Sequence, residues 1–281
     1  MKSSSLLSKS LEIKPSQLYV KDLQKLTKFY RDIIGLELLT STASHSILGQ
    51  GKIPVIELIS KPEYSYASIG SAGLFHNAIL YNSRAELAKT LYNILTRMPD
   101  IYEGPGNHLV SEAFYFHDLE NNGIELYFDL PRDTWEWVDG QLKMGLEYID
   151  VEKYILEHIN TEINPTKQLG HVHLRVGDIP KARKFYVDQL GFDVTADIGS
   201  ALFVSVGGYH HHLGMNTWQS KEASFRDPSL GLAEVKMILP RDGSLGRLSD
   251  RLTSNELPFT IKSDNLVVND PWGNNFVFTE D

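Results

Sequence analysis

The chain of 281 residues contains no cysteine. That excludes a disulfide framework, thiolate metal ligands and a Cys nucleophile, and it fits a reducing cytoplasm. Positive charge is also short. Lys and Arg number 27 against 36 Asp and Glu, a formal net charge of −9, and no basic stripe offsets it. A phosphate-backbone partner is therefore not expected. No apolar run approaches the roughly eighteen residues that a membrane-spanning helix needs. The opening MKSSSLLSKS has no sustained apolar core, so it makes a poor signal peptide, and residues 1–12 read as a frayed, disordered tail. No nucleic-acid partner, no membrane and a cytoplasmic location are the expectations.

Histidine, by contrast, is plentiful. Ten His with no Cys direct any transition-metal site towards imidazole and carboxylate ligands. The length allows two medium cores, and the chain repeats itself. LYVKDLQKLTKFYRDIIGLELL at 18–39 echoes LRVGDIPKARKFYVDQLGFDVT at 174–195. Both read strand, Asp, helix, Gly, strand. Asp22 and Asp178 stand at the N-cap, Pro180 suits a first turn, and Gly35 and Gly191 suit the left-handed C-terminal position. Leu23, Leu26, Tyr30 and Ile33 recur at helical spacing, as do Ile179, Ala182, Tyr186 and Leu190.

Short β-like runs follow each helix, at Ser46–Leu48, Val55–Ile59, Ala201–Val206 and His210–Met215. A weaker copy then follows each strong one. Residues 73–81 read as a strand, and Ser83 to Glu86 as a capping box opening a helix with Leu87, Leu91, Ile94, Leu95 and Met98 on its apolar face. His108–Glu125 closes that copy. Gly231–Leu239, a helix at Leu245–Leu257 and strands at Leu266–Val268 and Asn275–Phe278 make the last. The expected class is α+β, with four βαβββ units in two tandem halves. Residues 13–130 form one half and 169–281 the other, joined by a linker at 131–168 with one helix at Val151–Ile159.

Four such units resemble the vicinal oxygen chelate superfamily, which includes glyoxalases, extradiol ring-cleaving dioxygenases and the fosfomycin and bleomycin resistance proteins. The resemblance implies paired units forming half-open sheet cups around a divalent metal, with ligands on the first and last strands of each unit. Unit one offers Pro15 and a position near Ile56 or Glu57. Unit two offers His76 and Glu125, unit three His171 and one of His210–His212, and unit four Glu234 and Val277. Pairing units two and three collects His76, Glu125 and His171, the two-His, one-carboxylate set that suits non-haem Fe(II), with Mn, Ni or Zn as possible substitutes. Alone, His76 reads as a packed core histidine and Glu125 as an outward-facing strand charge. Three filled slots in the two middle units are harder to explain that way.

The stretch HLVSEAFYFHDLENNGIE at 108–125 resembles the extradiol dioxygenase signature through His108, Phe114, Tyr115, Asp118 and Glu125. It departs at Leu119 and Asn121, where that family has Pro and Gly, and Asn tolerates the left-handed conformation of such a turn. YHHHLGMN at 209–216 resembles the run that carries the acid–base histidine, which maps to His211, with His212 the next choice. Strand alternation would put His210 and His212 on one face and His211 on the other. The ligand order is permuted relative to the best-known extradiol enzymes, because Glu125 precedes His171. Overall the chain is most similar to bacterial catechol 2,3-dioxygenases. The resemblance implies an Fe(II)-dependent enzyme that opens a catechol with O2 beside the diol, in the catabolism of aromatic compounds. His211 would serve as an acid–base group titrating near neutrality, and Tyr115 and His108 as hydrogen-bond partners of the substrate oxygens. It also implies a possible homo-oligomer. The competing expectations are a glyoxalase-like isomerase or thiol transferase, and a non-catalytic small-molecule resistance or binding protein.

Overall fold

The computed structural model describes residues 6–161 and 166–281. Residues 1–5 of the expected tail and 162–165 of the expected linker lie outside the described residues. The repeated helix forms because its N-cap and its apolar stripe agree. Asp22 accepts from Lys25 N, and Leu23, Leu26, Phe29 and Tyr30 of Leu23–Asp32 are buried. In the second copy Asp178 accepts from Lys181 N. There the α-helix covers only Ile179–Arg183 and continues as a π-helical turn over Lys184–Gln189, a local widening that helical periodicity does not reveal. Gly35 and Gly191 have φ of 77° and 97°, the left-handed stop that both copies need.

The four units assemble as two sheets, and the pairing is nested rather than tandem. Units one and four share a nine-stranded sheet, in which Gly231–Leu239 runs antiparallel to Ser16–Val20. Units two and three share an eight-stranded sheet. Its four inner strands are β1 (Gly73–Tyr81), β2 (Gly123–Asp129), β3 (Lys167–Arg175) and β4 (Leu213–Asn216). β1 runs antiparallel to β3, with His76 opposite His173 and Ala78 opposite His171. β2 lies parallel to β1, with Glu125 beside Ala78, and β4 lies parallel to β3. Leucine, valine and aromatic side chains of both sheets and all four unit helices merge into one large apolar cluster. Among the described residues, no helix is long and apolar enough to cross a membrane.

Each strong unit is stitched to the weak unit that follows by the same device. Tyr30 Oη donates to Asp118 Oδ2 at 3.0 Å, and Tyr186 Oη donates to Asp270 Oδ2 at 2.8 Å. The second oxygen of each aspartate accepts backbone N–H groups of its own turn, from Glu120 and Asn122 in one and from Trp272 and Asn274 in the other. Asn121 takes φ of 64°, standing in for the Gly273 of the second turn at 84°.

Two stretches depart from expectation. Residues 6–13 are packed: Leu7 and Leu11 are buried, and Glu12–Ile13 pairs with Met237 and Ile238. Two apolar residues in a polar stretch gave too weak a pattern to signal this. The joining segment also holds more than its helix, Val151–His158. A ribbon pairs Trp137–Val138 with Gln141–Leu142, and Trp135 and Leu142 are buried against Val110 and Tyr209.

Candidate metal centre and active-site cavity

β1, β2 and β3 deliver His76, Glu125 and His171 to one place, and all three are buried. One ligand atom from each lies within 4.8 Å of the other two. Gly170 is required just before His171, because a Cβ there would lie 1.7 Å from Tyr127 Oη. Glu125 Oε2 is 2.9 Å from His76 Nε2 and 3.4 Å from His171 Nε2. Yet His76 Nε2 has no hydrogen-bond partner among the described residues. The two atoms are close without pointing at each other, as donors aimed at a common third point would be. Metal bonds of about 2.1 Å set adjacent ligand atoms about 3 Å apart, so these donors fit a divalent cation.

Electrostatics agree. Burial works to raise the Glu125 carboxyl, but the neighbouring His171 and His76 rings outweigh it and hold the group well below the usual carboxylate range. Burial pushes His171 down to about 4, against the pull of Glu125. The two directions compete for one proton, and burial of the His171 imidazole decides for a carboxylate beside a neutral His171 ring. Those are the forms that bind metal.

A cavity of about 520 Å³ opens beside these residues, a size suited to a small-molecule ligand. His76 and Glu125 line it, and so do His108, Tyr115 and His211. His108 Nδ1 faces the Gly145 carbonyl at 2.9 Å, which must accept, so in the neutral ring Nε2 accepts from Tyr115 Oη at 2.6 Å. Burial first, then Glu125, raises the Tyr115 phenol well above its ordinary value, so it stays a donor.

The triple-histidine run is not a strand, and this corrects the expected alternation. β4 begins only at Leu213, and in the turn before it the Nδ1 atoms of His210 and His211 meet at 2.7 Å. His210 Nε2 faces Asp129 Oδ1 at 2.8 Å and must donate, so in the neutral ring His210 Nδ1 accepts and the proton lies on His211 Nδ1. His211 Nε2 is therefore the free nitrogen of a ring that lines the cavity. His212 turns away, with Nδ1 accepting from Ser205 Oγ at 2.8 Å. Burial, then His171 and His210, hold His211 well below its ordinary value, so it rests as a neutral base rather than titrating near neutrality. His171, His210 and His211 also place ligand atoms within 4.8 Å of one another, but the nitrogens of His210 are engaged by Asp129 and His211.

Several lining residues carry no motif. His173 sits beside His76 with ring centroids 4.9 Å apart, and its Nε2 accepts from Asn216 Nδ2 at 3.0 Å. Phe75, Phe203 and Trp218 form aromatic walls, and Met144 and Leu146 of the joining segment close one side. The HVH spacing on β3 could have flagged His173, whereas nothing local marks the segment around 144–146. Glu57 and Glu234, the weaker slots, lie in the other sheet. There Lys236 pairs with both, and His45 lies 2.6 Å from Glu57. Val277 is buried there too.

The sequence profile of the Glyoxalase/Bleomycin resistance protein/Dioxygenase superfamily matches residues 12–126 and 168–278. The chain belongs to that superfamily. It is 34% identical over 265 residues to the catechol-2,3-dioxygenase of Bacillus subtilis strain 168, covering 91% of this chain and 92% of the relative. Solved structures with the same superfamily fold include a Bacillus subtilis protein provisionally described as a dioxygenase, with TM-score 0.66 and 13% identity over 96% of this chain and 84% of that one. Glyoxalase I of Zea mays has TM-score 0.59 and 16% identity over 96% and 92%. At such identities these likenesses speak for the fold alone.

Proposed function

We propose that this superfamily member is an extradiol dioxygenase that opens the ring of a catechol at an Fe(II) ion held by His76, His171 and Glu125. The observation that carries the reading is the convergence of three sets of groups on one cavity. These are a two-His, one-carboxylate donor set, a neutral base at His211, and the Tyr115–His108 pair. The relative's name, catechol-2,3-dioxygenase, supports the same reading. An Fe(II) ion bound there would supply positions for both diol oxygens and for O2, and a path for electrons between them.

The chain's own groups supply the rest. His211 accepts the proton of a catechol hydroxyl at Nε2, and can return it later in the reaction. Asp129, through His210, fixes the tautomer that exposes that nitrogen. Tyr115 Oη, backed by His108, is placed to hydrogen-bond a substrate oxygen. Phe75, Phe203 and Trp218 flank the ring and keep bulk water from its faces. The location in the cytoplasm and a role in aromatic catabolism follow from the same reading. The test is direct. Protein loaded anaerobically with Fe(II) should consume O2 and form a yellow ring-opened product when given catechol. One bound iron per chain with no O2 uptake across a panel of catechols refutes the proposal.

A further inference from the structure

The site cavity contains a cation that the proposed chemistry does not use. Arg175 follows His171 and His173 on β3 at two-residue steps, so all three project from one face of the strand. Its Cα is about 13 Å along the strand from that of His171, and it lines the cavity together with Trp218 and Gln219. The guanidinium has no ion pair or hydrogen bond among the described residues, and its Nε is buried without a partner. The residue as a whole is only half-buried, so the head of the guanidinium is open to the cavity while its Nε is sealed. Burial alone lowers its pKa, with no carboxylate opposing.

The nearby charges do not serve. Glu125 is held among histidines, Glu103 is exposed at the cavity rim, and the Glu120 carboxylate accepts from the backbone N–H groups of Lys21 and Asp22. Arg226, which lines an adjoining cavity together with Arg175, is satisfied by the carbonyls of Gly273 and Leu232. The end of the cavity away from the metal donors thus presents an unpaired, fork-shaped donor that matches a carboxylate. We infer that Arg175 is an anion subsite, and that the preferred substrates are catechols carrying a short carboxylate arm. A ring chelated at the metal donors and an arm of roughly one to three atoms would fill the span set by the strand. This rests on the ring-cleavage reading of the same cavity.

The test measures binding rather than turnover. Fe(II)-loaded protein is titrated anaerobically, by calorimetry, with 4-carboxymethylcatechol and with its uncharged carboxamide. The wild type should bind the acid at least about tenfold more tightly than the amide. Arg175→Gln should abolish that ratio, and Arg175→Lys should keep part of it. Equal binding of acid and amide by the wild type, or an unchanged ratio in Arg175→Gln, overturns the inference. If Arg175→Gln does not fold, the wild-type ratio and Arg175→Lys still decide. Admitting O2 afterwards separates the two proposals. A preference for the acid without ring opening sinks the ring-cleavage reading alone. Ring opening with no preference sinks the arginine subsite alone.

Discussion

Removing the Lys167 ammonium should destabilise the protein more than any surface change. Lys167 opens the strand that carries His171, and its Nζ donates to the Gly35 carbonyl at 2.9 Å and pairs with Glu86 Oε1 at 3.0 Å. The paired side chains are only 6% and 10% exposed, and among the described residues the other Glu86 oxygen already lacks a partner. In Lys167→Met the methylene stem is largely kept, but a carboxylate is stranded in the core. Breaking a buried pair on one side costs about 3–5 kcal/mol. Lys167→Met/Glu86→Leu removes both charges and leaves only the Gly35 carbonyl short of a donor, so it should lie within about 1–2 kcal/mol of wild type. Urea unfolding followed by tryptophan fluorescence measures all three proteins. A loss below about 1 kcal/mol in the single variant would mean that water reaches Glu86. A double variant as unstable as the single would mean that Lys167 acts through packing, and would refute the electrostatic argument.

Three further outcomes are expected. Glu125→Gln should lower Fe(II) affinity by at least about tenfold, because the site loses its one anionic donor; anaerobic metal titration checks this, and unchanged affinity would place the metal elsewhere. Asp129→Ala should lower kcat on catechol by about tenfold to a hundredfold, and Asp129→Asn by less, since Asn still offers an acceptor that keeps His210 in register; steady-state kinetics with both variants compare them, and equal losses would argue against tautomer control. Burial pushes His212, outside the cavity, down to about 3. Its neutral form stabilises the fold fully above pH 6.5, and that stability is lost as pH falls towards 3. The advantage of wild type over His212→Gln should therefore shrink by about 2 kcal/mol between pH 6.5 and 4.5, and urea midpoints at several pH values that track in parallel would contradict it.

Where the sequence repeats, the fold could be read from it. Asp22 and Asp178, Gly35 and Gly191 mark the same helix boundaries in both copies, and the structure uses all four. That His76, Glu125 and His171 would converge was legible because two units offered filled slots. The hydrogen-bonding roles were not, because they depend on contacts distant in sequence. Tyr30 reaches Asp118 across 88 residues, and His108 meets the carbonyl of Gly145 across 37. The histidine run misled for a local reason: a turn ending at Leu213 overrides the alternation that a strand would impose, and brings His210 and His211 face to face. Nothing in the sequence marks Arg175, and only the packing around it reveals that it has no counter-ion among the described residues.

The nested pairing of the units has a consequence for how the centre could be taken apart and rebuilt. Since the eight-stranded sheet joins the end of one sequence half to the start of the other, cutting the backbone between Val151–His158 and β3 would yield two fragments. The first would carry His76 and Glu125, the second His171 and His211. Neither alone would retain the donor set. Mixed, they would have to meet across both sheets at once, so recovery of metal binding from co-expressed fragments would report directly on assembly of the whole chain.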